Sequence, residues 1–179
     1  MAFGFIATSW NHEAKLQSVQ LIPGSGAAQV APTSDVTVIH DLERLPHYLV
    51  DLIRHLELYF QEGQPLPEIP WQHLDLDRAS EFQKGVYQAI CKIPHGQTRT
   101  YAWVAIRMGK PQATRAVGQA LKKNPFPVLI PCHRVIGAAG DLVGFMGKSE
   151  ADSEEISLKS FLIQAEYQYR NPIFSFLKA

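Results

Sequence analysis

Cysteine is scarce in these 179 residues: only Cys91 and Cys132 occur. No CxxC pair is present, which argues against a zinc cluster of thiolates. One disulfide is arithmetically available, but in a reducing compartment both thiols would stay free. No apolar run is long enough to cross a bilayer. The opening MAFGFIATSW lacks the basic flank and extended apolar core of a signal peptide, so an intracellular protein is the simplest expectation. Net charge is missing too, since 17 Lys and Arg balance 17 Asp and Glu. There is no internal repeat and no low-complexity tract. Apolar content is ordinary, enough for one good core or two small ones.

The neutral total hides an asymmetry. Residues 1–80 carry four basic and ten acidic side chains, whereas residues 81–148 carry ten basic and two acidic. A strongly basic second part suits a surface that binds a polyanion, although a merely solvated face has the same composition.

Along the chain, residues 2–9 and 15–22 alternate partially and predict two strands joined by a polar turn at Asn11–Glu13. Residues 35–40 (DVTVIH) suggest a third strand, and WQHLDLD an edge strand. Between them Leu45, Tyr48, Leu49, Leu52, Ile53, Leu56 and Phe60 recur at helical spacing, ending near Gly63. Ser80 with Gln83 forms a capping box that opens a helix running to about Lys92. His95-Gly96 makes a turn. Tyr101 to Met108 forms a short helix stopped by Gly109, and Pro111 opens another over Gln112–Lys123. Two short helices joined through a glycine match a helix-turn-helix. The second carries Gln112, Thr114, Arg115, Gln119, Lys122 and Lys123 on one side. Ala113, Ala116, Val117, Ala120 and Leu121 lie on the other. Asn124-Pro125 ends it.

The run VLIPCHRVIG, residues 128–137, places Cys132 beside His133 and Arg134. A thiol attacks as its thiolate, so a nearby base or cation favours it. In extended backbone the neighbouring side chains point to opposite faces, so a water would have to carry the proton from Cys132 to His133. The base then needs an orienting carboxylate, and Glu166 is the only acid among Leu158–Tyr169. The ordinary alternatives are a packed core thiol, a satisfied structural histidine and a surface or capping arginine. Cys91 reads as core.

IPCHRVIG, preceded by NPFPVL and RAVGQALKKN, resembles the O6-alkylguanine-DNA alkyltransferases. The likeness extends back through IPHGQTRTYAWVA and FQKGVYQAI and forward to Glu166, over about residues 80–167. It implies an α/β chain: a small ribonuclease-H-like α/β domain at 1–78, then a helical, winged helix-turn-helix-like DNA-binding and active-site domain at 79–179. It implies irreversible transfer of an alkyl group from O6 of guanine, with O4 of thymine a further candidate, to Cys132. The target base would be flipped out of the duplex. By the same resemblance Arg115 fills the gap, and Thr114 and Ala113 lie in the minor groove. Thr100, Gln112 and Lys122 complete the DNA-facing set. Tyr101 rotates a phosphate and donates to the departing guanine, and Asn124 braces helix to active-site strand. Pro127, the Val135 carbonyl, Phe145, the Met146 N–H and Gly147 form the substrate pocket. His133 deprotonates Cys132 with Glu166 holding the imidazole. No metal or organic cofactor is implied. The partner is double-stranded DNA containing O6-alkylguanine, with no membrane, for a monomer of the cytoplasm, or of the nucleus in a eukaryote.

Two departures stand out. The family's usual Tyr-Ser-Gly-Gly turn is Phe145-Met146-Gly147-Lys148 here, and residues 149–157 form an acidic segment longer than the usual link to the last helix. Rival readings are a damage-binding protein with impaired transfer, a DNA-binding regulator, and a thiol hydrolase. The last lacks any glycine pattern around Cys132 suited to an oxyanion.

Overall fold

The structure is a computed structural model that describes residues 5–22, 46–68, 70–145 and 154–171. It is a mixed α/β fold. Strand β1 (Phe5–Trp10) pairs antiparallel with β2 (Leu16–Ile22), with a register irregularity between Ser9 and Trp10. The turn between them closes on Asn11, whose Oδ1 accepts from the backbone N–H groups of Glu13 and Lys15. The expected strand at 35–40 lies outside the described residues, as does Leu45.

Helix α1 (His47–Glu62) buries Leu49, Leu52, Leu56 and Tyr59. The periodicity had put Phe60 on that face; Tyr59, seven residues after Leu52, is the one turned fully inward, at 1% exposure. Gly63 ends the helix in the left-handed region at φ 71°, and its N–H donates to the Tyr59 carbonyl. The stretch WQHLDLD is not an edge strand. Pro70 leads into a single 3-10 turn over Trp71–His73, and only Leu74 joins the sheet region, bridging in parallel to Leu16.

Helix α2 (Glu81–Cys91) opens with the expected reciprocal box. The Gln83 N–H donates to the Ser80 hydroxyl, and the Ser80 N–H donates to the Gln83 side chain. Strand β3 (Arg99–Thr100) leads into α3 (Tyr101–Arg107), capped by the Thr100 hydroxyl. Pro111–Ala113 form a 3-10 turn, and α4 (Thr114–Lys122) follows, so Gln112 and Ala113 precede the α-helix proper. The buried side of α4 is Val117, Ala120 and Leu121, while Ala116 faces out. Strand β4 (Val135–Ile136) pairs in parallel with β3. Helix α5 (Glu154–Arg170) begins inside the acidic segment; Glu154 and Glu155 occupy its first turn, where the helix dipole favours carboxylates.

One apolar cluster runs through both halves, from Leu16, Val19 and Leu56 to Val86, Val117, Phe126 and Leu162. Backbone bonds from Val19 N–H to the Pro125 carbonyl and from Asp75 N–H to the Leu16 carbonyl tie the halves together. The halves also approach closely at Gly63. A Cβ built there would sit 2.5 Å from the Ala165 carbonyl oxygen, so only glycine lets α1 end directly against α5.

Gly109→Ala, at φ 69° in open space, should cost only the left-handed penalty of about 1–2 kcal/mol. Gly63→Ala adds a backbone clash and should lose a further 1–3 kcal/mol, roughly, measured by urea unfolding.

Candidate active site

Cys132, His133 and Arg134 do not continue an extended strand. They form a 3-10 turn, closed by the Arg134 N–H donating to the Pro131 carbonyl and the Val135 N–H to the Cys132 carbonyl. With about three residues per turn, successive side chains leave the backbone in different directions, and the longer imidazole and guanidinium groups both end on Glu166. Cys132 is 7% exposed and His133 fully buried.

The approach to this turn is constrained. Pro127 and Ile130 form an isolated bridge, and the Ile130 N–H donates to the Phe126 carbonyl. Between them Val128 is held at φ 75°, a left-handed conformation that strains a β-branched residue. Asn124, just past the end of α4, pins the loop from both ends. Its Nδ2 donates to the Ile130 carbonyl at 2.8 Å and its Oδ1 accepts from the Phe126 N–H at 3.0 Å. Its side chain also favours the thiolate form of Cys132, against the effect of burial.

Helix α5 supplies two charged groups from one face, Lys159 and Glu166, two turns apart and both buried. Glu166 Oε1 receives His133 Nε2 at 2.8 Å, Tyr59 Oη at 2.8 Å and Arg134 Nη2 at 2.9 Å. Glu166 Oε2 receives the Gly96 N–H and Arg134 Nε, each at 2.9 Å. Gly96 sits at φ 72°, and a Cβ there would come within 3.0 Å of the Glu166 backbone carbonyl. Arg134 is anchored further by the Ile93 carbonyl. His95 donates through Nε2 to the Gly63 carbonyl at 2.8 Å, leaving Nδ1 to accept from Arg134 Nη2.

These contacts set the protonation states. Burial alone would raise the Glu166 pKa, but the hydrogen bonds from His133 and Arg134, with the Arg134 charge, outweigh it and hold the carboxyl well below the usual range. An ionised carboxylate only accepts, so the proton on His133 sits on Nε2. Its Nδ1 is the lone-pair nitrogen and has no hydrogen-bond partner among the described residues. Burial lowers the His133 pKa, against the pull of Glu166, so the imidazole rests neutral. Burial likewise raises the Cys132 thiol, opposed by Asn124 and by the Lys159 charge. The resting pair is therefore a protonated thiol and a neutral base, and not a standing thiolate.

Lys159 is the cation nearest in effect to the thiol. Its Nζ donates to the Val143 and Gly144 carbonyls at 3.0 and 3.3 Å, and burial brings its pKa down to about 8. Tyr101 donates to the same Val143 carbonyl at 3.0 Å, with its ring 5.9 Å from Lys159 Nζ, and burial pushes its hydroxyl up to about 12. Phe145 is buried, as are Pro127 and Val135. Met146 and Gly147 lie outside the described residues. Arg115, Gln112 and Lys122 are exposed on or beside α4, Thr114 and Ala113 are half-buried, and the Thr100 hydroxyl is engaged as a cap. Cys91, expected in the core, is exposed and lines a cleft of about 460 Å³ with Trp71, His95 and Pro131. Among the described residues no cluster of His, Cys, Asp and Glu could hold a metal, and no helix is long and apolar enough to cross a membrane.

Sequence reasoning missed two members of this site. Tyr59 could have been found from its spacing with Leu52 and Leu56. Lys159 carries no local signal, because a lysine in an amphipathic helix ordinarily reads as surface.

A short helix pair with an exposed basic side, tied through Asn124 to a buried Cys-His-Glu array, defines a helix-turn-helix protein with a candidate thiol site. The family model for the DNA-binding domain of 6-O-methylguanine DNA methyltransferase matches residues 81–168. A methylated-DNA–protein-cysteine methyltransferase of Methanosarcina barkeri is 42% identical over 116 residues, covering 63% of this chain and 65% of the relative. The chain spans about half the length, 52% and 51%, of its relatives in Methanosarcina mazei and Methanosarcina acetivorans. Among solved structures, Mycobacterium tuberculosis OGT in complex with DNA matches with a TM-score of 0.66 and 29% identity, over 92% of this chain and 87% of that one. A variant of Mycobacterium tuberculosis O6-methylguanine methyltransferase matches at 0.63 and 30% identity, over 89% and 84%. This chain belongs to the O6-methylguanine-DNA methyltransferase family.

Because the folded pKa of Glu166 lies below its unfolded value, its stabilisation is complete at neutral pH, starts to fall below the ordinary glutamate value near ~4.3, and is lost progressively as pH drops toward the lower folded value. Glu166→Gln leaves Arg134 without its partner and should cost about 3–5 kcal/mol at pH 7. Urea unfolding of both proteins across pH should show that gap closing below pH ~4.3.

Proposed function

We propose that this chain is a single-use DNA repair protein that takes the alkyl group from O6 of guanine in duplex DNA onto Cys132. The observation that carries this reading is the His133 geometry: Nε2–H is committed to Glu166, and Nδ1, on the turn that bears the thiol, is a base with no hydrogen-bond partner among the described residues. The thiol proton passes to His133 through a water, sulfur attacks the alkyl carbon, and the carbon–O6 bond breaks toward guanine. The Tyr101 hydroxyl, with its high pKa, donates a hydrogen bond to the departing oxygen. Overall the alkyl group replaces the thiol hydrogen, and guanine recovers its ring proton. The resulting thioether has no leaving group, so each molecule reacts once.

On this reading the basic side of α4 meets the phosphates, and Arg115 enters the minor groove and fills the space of the flipped base. Thr114 and Ala113 permit close approach, with Gln112, Thr100 and Lys122 beside them. Asn124 couples α4 to the active turn. Pro127, Phe145, the Val135 carbonyl, the Met146 N–H and Gly147 enclose the base. Lys159 steadies the negative charge that develops on sulfur. No cofactor takes part. The segment 1–78 forms one domain and 79–179 the other.

Incubation with a duplex containing O6-methylguanine should add one methylene unit to the protein, located on the Cys132 peptide by mass spectrometry. Tight binding with unchanged mass would instead mean a damage-binding protein. Cys132→Ser should abolish the gain and keep DNA binding. Arg115→Ala should lose about 1–3 kcal/mol of DNA affinity in a titration at fixed salt.

A further inference from the structure

Among the described residues, the first half of the chain contributes one side chain to the hydrogen-bonded array around Glu166, that of Tyr59. Tyr59 lies 107 positions from Glu166 and 74 from His133, yet its hydroxyl is 2.8 Å from Glu166 Oε1 and 3.2 Å from His133 Nε2. Packing alone does not require a hydroxyl there. The ring makes edge contacts with Phe60, His95 and His133, which phenylalanine would reproduce. A buried hydroxyl is favourable only if its partners repay its desolvation, so the hydroxyl is the informative part.

Its hydrogen has one place to go. Glu166 is ionised and donates nothing, so the contact at Oε1 is donated by Tyr59. The Tyr59 oxygen then presents lone pairs to His133 Nε2, whose hydrogen is shared between the carboxylate and that oxygen. The reverse arrangement would move the ring proton to Nδ1 and leave no base toward the thiol. It would also turn a nitrogen lone pair onto the carboxylate, which is repulsive. Tyr59 therefore closes a triangle in which only one tautomer satisfies every atom. The placement is rigid, because α1 ends at Gly63 hard against Ala165, the residue before Glu166.

We propose that Tyr59 is a positioning residue for alkyl transfer, its hydroxyl holding Glu166 and His133 in the one arrangement that keeps Nδ1 free to take the thiol proton. The proposal rests on the transfer reading above, and it gives the first half of the chain a part in the chemistry beyond scaffolding.

The test is Tyr59→Phe in the full chain, compared with wild type in two ways. Single-turnover transfer from an O6-methylguanine duplex should slow about tenfold at saturating DNA, the order expected on losing a hydrogen bond to a charged group. The half-saturating DNA concentration should not change. In nitrogen-15 spectra of labelled histidine, His133 Nδ1 should leave the position of an unprotonated nitrogen and move toward the average of two tautomers. Unchanged transfer and an unchanged His133 signal in the variant would overturn the proposal. If wild type itself takes no methyl group, the transfer reading fails, while the histidine spectra still decide whether Tyr59 fixes the tautomer. Should Tyr59→Phe not fold, fluorotyrosine placed at position 59 keeps the shape and strengthens the donor. A shift of the His133 signal then supports the proposal, and an unmoved signal overturns it.

Discussion

An ionised carboxylate with 1% of its side chain exposed is costly unless every lone pair is used, and Glu166 uses them on four residues from three regions. Tyr59 comes from α1, Gly96 from the turn after α2, and His133 and Arg134 from the active turn. Helix α1, the turn after α2 and the Cys132–Arg134 turn are thus held to α5 through this one group. Removing the carboxylate would leave a guanidinium and a hydroxyl buried without their acceptor. The same contacts that keep Glu166 charged also fix which nitrogen of His133 is bare.

That arrangement has a chemical consequence. A standing thiolate would react with any soft electrophile in solution. Burial keeps Cys132 protonated, and a neutral base beside it makes deprotonation conditional on what enters the site. Lys159 adds positive charge without adding a solvent-exposed cation, since its ammonium is spent on the Val143 and Gly144 carbonyls. Asn124 joins the end of α4 to the strained Val128 loop. Movement of the helix pair and movement of the thiol are thus mechanically connected.

What the sequence reveals is local. The box at Ser80 and Gln83, the glycine stop at Gly109, the proline at 111 and the Cys132-His133-Arg134 run are each written within a few residues, and each is found in the structure. Glu166 was legible because no other acid competes for its place in the last helix. What stayed hidden depends on long-range geometry. Tyr59 needs the packing of α1 on α5 to meet His133. Lys159 needs two carbonyls from another loop before its burial is tolerable. The backbone at Cys132 read as extended because prolines flank the run, yet the hydrogen bonds of a 3-10 turn decide it. Cys91 read as core from its helix, but that end of α2 borders an open cleft.

Carbon-13 spectra of labelled glutamate, followed as the pH is lowered, report the ionisation of Glu166 itself. The account predicts that its carboxyl signal stays at the ionised position through the ordinary glutamate range, around ~4.3, until the protein unfolds. A midpoint in or above that range would contradict it, because a carboxyl that readily takes a proton could not dictate the tautomer of His133.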